Sequence, residues 1–147
     1  MPDVNTAVLM FIAQRHAEAR VLQHLHEHGF ADMTIAQGRI AARLDQEGMR
    51  LTDLAAAAQV TKQTAAFLVG QLEQAGYVER RPDPTDARAR LICIAERGVR
   101  AQAEARVVEQ RIETEWTRHL GRDRMRELRR ALTDLRAVTD PWMDAAE

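Results

Sequence analysis

The sequence predicts a mainly α-helical fold carrying one small β-hairpin, and three observations predict it. Ala and Leu are abundant while aromatic residues make up only 4% of the 147 positions, so the core should be aliphatic and mostly helical. Apolar residues recur at three- and four-residue steps through long stretches near both ends of the chain, the period of one helix face. Only around 77–94 does this give way to short β-prone runs separated by Pro82 and Pro84, the composition of two strands and a stiffened turn. The length suits a single domain, 1–147, able to bury a core without staples.

Positions 4 to about 28 contain no Pro or Gly, and Val4, Val8, Phe11, Ile12, Ala19, Leu22 and Leu25 share one face before Gly29 stops the helix. Such a helix is about twice the usual length of ~11–12 residues, so part of its apolar face is expected to pack on a second subunit. Thr34 should cap a second helix with Ile35, Ile40 and Leu44 turned inward and Gln46-Glu47-Gly48 as its exit. Gly38 inside it costs about 1 kcal/mol relative to Ala and marks close packing or a hollow. Thr52 is expected to cap a short helix ending near Ala58, Gln59-Val60 to turn the chain, and Thr61 to cap the next helix. That helix buries Ala65, Leu68, Val69 and Leu72 and stops at Ala75-Gly76. Strands are predicted at 77–81 and 91–94, with 82–87 unable to continue either. After Gly98 the chain should be helical to near Thr139 with a break at Gly121. Val108, Ile112, Trp116 and Leu120 line the first piece, and Met125, Leu128, Leu132, Leu135 and Val138 the second.

Two short helices about Gln59-Val60 followed at once by a hairpin outline a winged helix-turn-helix at 34–98, with flanking helices at 1–30 and 99–147 suited to dimerisation. Thr61, Lys62, Gln63 and Thr64 occupy the exposed first turn of the second helix. There the helix dipole and free backbone N–H groups favour a phosphate, and side chains reach base edges. Arg88 and Arg90 project from the returning limb of the hairpin, and Asp86, two residues from Arg88, is placed to orient its guanidinium. Double-stranded DNA is the expected partner. With a net charge of −1 the basic surface must be local. The central third, 51–100, is the only net positive one, with seven basic residues against six acids. Twenty of the 21 basic residues are Arg, whose planar fork suits phosphates and base edges.

The single Cys93 excludes an intramolecular disulfide framework and fits a reducing, cytoplasmic setting. Its neighbours Leu91, Ile92 and Ile94 make it a buried strand residue rather than a reactive thiol. The apolar run 8–13 is too short to cross a bilayer and follows Asp3 rather than a cation, so no membrane association or export is expected. Serine is absent from the chain, and no Gly-rich phosphate loop, nucleophile elbow or paired-carboxylate pocket is visible, so neither catalysis nor a cofactor is expected. His24 and His28 stand four apart on a helix, the spacing at which two imidazoles share a metal, with His16, His26 and Glu27 nearby. Lacking a second ligand pair, they are expected to be surface or interface histidines. Trp116 and Trp142 are expected in the core or an interface.

The ordered set Leu51-Thr52-Asp53-Leu54-Ala55, Val60-Thr61-Lys62-Gln63-Thr64, Leu72-Glu73-Gln74-Ala75-Gly76-Tyr77-Val78-Glu79-Arg80, Asp83-Pro84-Thr85-Asp86-Ala87-Arg88 and Glu96-Arg97-Gly98 resembles the multiple antibiotic resistance regulator (MarR) family of bacterial transcription factors. The similarity covers nearly the whole length. It implies a homodimer held by the N- and C-terminal helices, with each recognition helix in a major groove, each wing near a minor groove, and a pseudo-palindromic operator. By motif position Thr61, Lys62, Gln63 and Thr64 would meet bases and phosphates. Arg88 would be the wing-tip arginine and Asp86 its orienting partner. The resemblance further implies a repressor released by a small-molecule effector bound between the dimer helices and the DNA-reading lobe.

Three positions depart from the family pattern. Phe67 stands where the recognition helix more often carries Arg or another polar residue. Gly38 stands where a large, often aromatic side chain is common, which points to a larger ligand cavity or one filled by neighbours. No cysteine lies near the N-terminus, where the family's peroxide sensors keep their thiol. Phe67 and the near-neutral charge motivate one alternative, a dimeric small-molecule or metal-binding protein on the same fold that has lost operator recognition.

Overall fold

A computed structural model of the chain describes residues 3–143, so the outermost residues of the expected dimerisation segments, 1–2 and 144–147, lie outside the described residues. The elements are α1 (Thr6–Glu27), α2 (Ile35–Ala41), α3 (Leu51–Ala58), α4 (Lys62–Gln74), β1 (Val78–Asp83), β2 (Asp86–Ile94), α5 (Glu96–Leu120) and α6 (Arg122–Thr139). This is the expected mainly α architecture with a hairpin wing. The α2–α4 lobe and its hairpin are flanked by long helices from both ends of the chain.

Local signals set most helix ends. Asn5 accepts the Val8 N–H at 3.0 Å and starts α1, leaving Val4 outside it. Thr34 and Gln37 form a reciprocal capping box at α2. Thr61 accepts the Thr64 N–H at 3.1 Å to cap α4. Gly29, Gly76 and Gly121 follow helix ends with φ of 97°, 81° and 86°, the left-handed side of φ space that glycine enters without steric cost.

Four boundaries differ from expectation, each through a contact distant in sequence or a local bulge. The second helix stops at Ala41, so Leu44 and residues 46–48 form a loop instead of its last turn. That loop runs hard against β2: a side chain at Gly48 would meet Cys93 Sγ at 2.7 Å and the Ile92 carbonyl at 3.2 Å. The close approach lets Met49 exchange both backbone hydrogen bonds with Ile92, at 3.0 and 2.7 Å. With Met49 held extended, α3 begins at Leu51 with Arg50 at its N-cap, and Thr52 lies inside the helix rather than capping it.

The hairpin is also longer than expected. Pro82 and Asp83 continue β1, paired with Arg90 and Asp86, and only Pro84-Thr85 turn. Pro82 is tolerated because β1 is an edge strand in this two-stranded sheet. Between those two pairings the register shifts, so that Ala87, Arg88 and Ala89 bulge from the ladder.

Lastly, α5 starts at Glu96, three residues before the predicted start at 99, and contains Gly98. A Cβ at Gly98 would lie 2.2 Å from the Tyr77 carbonyl oxygen, so only glycine lets the first turn of α5 sit on the root of the wing. The core gathers there: Tyr77, Ile40, Leu54, Leu72, Ile92 and Val69 are the largest fully buried side chains. Cys93 is buried as expected, and Trp142 packs half-buried against the core. No helix among the described residues is long and apolar enough to cross a membrane.

Two glycines on helices should respond oppositely to the same change. Gly98→Ala must displace the Tyr77 carbonyl and is expected to cost about 1–3 kcal/mol. Gly38→Ala meets nothing within 4 Å and should gain roughly 0.5–1 kcal/mol. Urea denaturation of the two variants against the parent checks both signs.

Candidate nucleic-acid interface

The cap that starts α4 determines what its first turn can offer. The Thr61 hydroxyl accepts the Thr64 N–H and donates to the Thr64 hydroxyl at 2.9 Å. Lys62 and Gln63 lie just beyond it, exposed, with no intramolecular ion pair or side-chain hydrogen bond among the described residues. Their backbone N–H groups are first-turn donors that no helical carbonyl can satisfy. Phe67, one turn on from Gln63, is 66% exposed on the same side of the helix, while Ala65, Leu68, Val69 and Leu72 face the core.

The wing is shaped by an acid that sequence reasoning passed over. Asp83 is buried and accepts from the Thr85 backbone N–H at 2.8 Å, the Thr85 hydroxyl at 2.7 Å and Arg50 Nε at 2.9 Å. The two Thr85 bonds, followed by the Arg50 guanidinium, hold its carboxyl down at about 2. Asp-x-Thr was a legible signal for such a turn; Arg50, from the far end of α3, had none. Asp86 accepts the Arg88 backbone N–H at 3.0 Å. It therefore fixes the main chain of the bulge, and its other oxygen lies 3.8 Å from Arg50 rather than on the Arg88 guanidinium.

Pairing leaves a sharp local charge pattern. Arg50 is matched by Asp83, Arg80 by Glu73 at 3.4 Å and Arg81 by Glu79. Arg88 and Arg90 are exposed and carry no ion pair among the described residues. The free cations of this lobe thus include Lys62 at the start of α4 and the two arginines on the bulged strand. The near-neutral total conceals them.

Behind the interface a half-open cavity of about 290 Å³ lies among α1, α2 and α5, lined by Val21, Leu25, Met33, Gly38, Ala42 and Tyr77. A neighbouring one of about 230 Å³ shares the Gly38 wall. Gly38 opens onto space rather than onto close packing, as its empty Cβ position shows.

Residues 31–89 match the MarR family model, and they contain the capped α4, the Asp83 turn and the bulged wing. Over this stretch the chain is similar to the MarR family. A solved MarR structure is 27% identical, with 91% of this chain and 96% of that one covered and a TM-score of 0.69. A point mutant of MepR from a multidrug-resistant S. aureus clinical isolate shares the fold at 20% identity, 94% and 99% coverage and a TM-score of 0.76. A second S. aureus MepR mutant, bound to an oligodeoxyribonucleotide, also shares it, at 20% identity, 94% and 100% coverage and a TM-score of 0.58. No curated protein sequence matches significantly. MarR-family regulators are not enzymes, and their fold is consistent with DNA-binding transcriptional regulation.

The Asp83 carboxyl titrates at about 2, below its ordinary 3.8. A depressed acid stabilises the fold above its unfolded pKa and loses that contribution as pH falls through the folded value. The wing should therefore stay ordered above pH ~4 and loosen between about 4 and 2. Carbon-detected NMR of the Asp83 carboxyl should show the low midpoint, and Asp83→Asn should speed amide exchange in β1 and β2 at neutral pH.

Proposed function

We propose that this chain is a dimeric, sequence-specific DNA-binding regulator, a repressor released by a small-molecule effector. The observation that carries the DNA reading is the set of unpaired, exposed donors at Lys62, Gln63, Arg88 and Arg90, within a lobe whose other arginines are matched by carboxylates. Lys62 and the first-turn N–H groups suit phosphates, and Gln63 suits a base edge. Thr61 and Thr64 add hydroxyls at the backbone, while Arg88 and Arg90 lie on the rigid wing for the flanking groove. The oligonucleotide complex of MepR, on the same fold, supports this reading.

Dimerisation is supported by apolar surface that no described residue covers. Leu9, Phe11 and Ile12 are 55–59% exposed on the first half of α1, and Val138 is 81% exposed near the end of α6 with Leu128, Leu132 and Leu135 behind it. Contiguous apolar surface of this kind marks an interaction face, and a two-fold dimer would match a pseudo-palindromic operator. The Gly38 cavity, between the long helices and the reading lobe, is the effector site in this reading.

Phe67 favours a second reading, a fold retained without operator recognition, and salt separates the two. An operator binder should lose affinity steeply with rising salt, whereas small-ligand binding hardly changes. Failure of the pure protein to prefer DNA flanking its own gene at low salt would sink the first reading.

Within that reading the contacts divide by role. Arg88→Ala should weaken binding to most sequences alike, while Gln63→Ala should cost about 1–3 kcal/mol at one base pair and relax its specificity. Phe67, apolar and exposed among polar neighbours, is suited to a thymine methyl group. Replacing single operator thymines with deoxyuridine should weaken the parent at one position per half-site and leave Phe67→Ala indifferent there. Electrophoretic shift titrations read all three.

A further inference from the structure

The histidine pair on α1 gains a third donor in the folded chain. His24 Nε2 lies 2.6 Å from Glu104 Oε2, on α5 and 80 residues away. The His24 and His28 rings stack with centroids 3.8 Å apart. One donor atom from each of His24, His28 and Glu104 falls within 4.8 Å of the others, a convergence found for no other His, Cys, Asp or Glu trio among the described residues. We propose that these three side chains bind a divalent transition-metal ion of the zinc class, tying α1 to α5.

Two imidazoles and one carboxylate, with a fourth position left to water, form a donor set that suits zinc. The arrangement is partly preorganised. His28 Nδ1 lies 2.7 Å from the His24 carbonyl; donating its proton there leaves Nε2 as the free donor, the outer-sphere bond that fixes a ligating histidine's tautomer. The short His24–Glu104 contact already sets two of the donor atoms side by side. Tetrahedral zinc needs donors ~3.3 Å apart, so the 2.6 Å His24–Glu104 pair must open slightly and His28, within 4.8 Å of both, must draw in. His28 can supply that movement: it is exposed and stands at the C-cap of α1, directly before Gly29. The neighbouring donors His26 and Glu27 do not join. His26 is taken by the Met33 carbonyl at 2.7 Å, and Glu27 by Gln23 at 3.2 Å.

The test is zinc titrated into untagged, metal-free protein near neutral pH in competition with a chromophoric chelator, with cobalt as a spectroscopic probe. Expected are one ion per chain, the intense visible bands of four-coordinate cobalt, and a thermal midpoint raised by the ion. His28→Ala and Glu104→Gln should each weaken uptake by about tenfold or more and remove the thermal shift, while His26→Ala should retain both. His28 is exposed and Glu104→Gln keeps its shape, so both variants should fold. Absence of uptake by the parent protein, or uptake equal in the parent and both ligand variants, would overturn the proposal. None of these readouts involves DNA, so they stand apart from the regulatory reading.

Discussion

The tightest seam between the reading lobe and the long helices lies where the first turn of α5 sits on the Tyr77 carbonyl. Gly98 permits the approach, and the Ala95 N–H binds that same carbonyl at 3.0 Å. Arg97 then spans what Gly98 brings together. Its guanidinium donates to the Asp32 carboxylate and the Ala75 carbonyl at 2.8 Å and to the Gly29 carbonyl at 3.3 Å, and it sits 4.3 Å above the Tyr77 ring. The Tyr77 hydroxyl closes the ring of contacts on Asp32 at 2.6 Å. Arg97 holds the Asp32 carboxyl below its usual range, while burial, reinforced by the Asp32 bond, pushes the Tyr77 phenol up. One side chain thereby links the end of α1, the end of α4 and the root of the wing.

That geometry gives the cavity and the histidine cluster their interest. Tyr77 and Gly98 both line the cavity, so its contents touch the seam directly. His24 and His28 lie within the last turns of α1, beside Gly29, whose carbonyl Arg97 binds. The electrostatics follow a similar economy. A nearly neutral chain presents basic character by matching Arg50, Arg80 and Arg81 with carboxylates and leaving Lys62, Arg88 and Arg90 bare.

Much of the candidate interface was legible because its determinants are local. A threonine three residues before the amide it caps, a glycine after α1, α4 and α5, and a 3.6-residue apolar period all act within a turn or two of chain. Thr61 and the exposed first turn of α4 follow from such rules, as do Arg88 and Arg90 on an outer strand. Asp86 was legible as a partner of Arg88, but whether it would hold the guanidinium or the amide depended on the bulge. Pro82 looked like a strand breaker and is not, since the outer edge of a two-stranded sheet asks no hydrogen bond of it.

Sequence by itself determined the order of helices and hairpin, the polar start of the recognition helix and the family motif, all set by near-neighbour chemistry. Tertiary structure alone decided where α3 and α5 begin, because Met49 meets Ile92 and Gly98 meets the Tyr77 carbonyl only once the chain has folded back. It likewise decided that Arg50 serves Asp83, 33 residues on, and that Glu104 joins two histidines, the nearer in space lying 80 residues behind it. Such pairs share no local pattern, because what brings them together is the packing of whole elements around a common core.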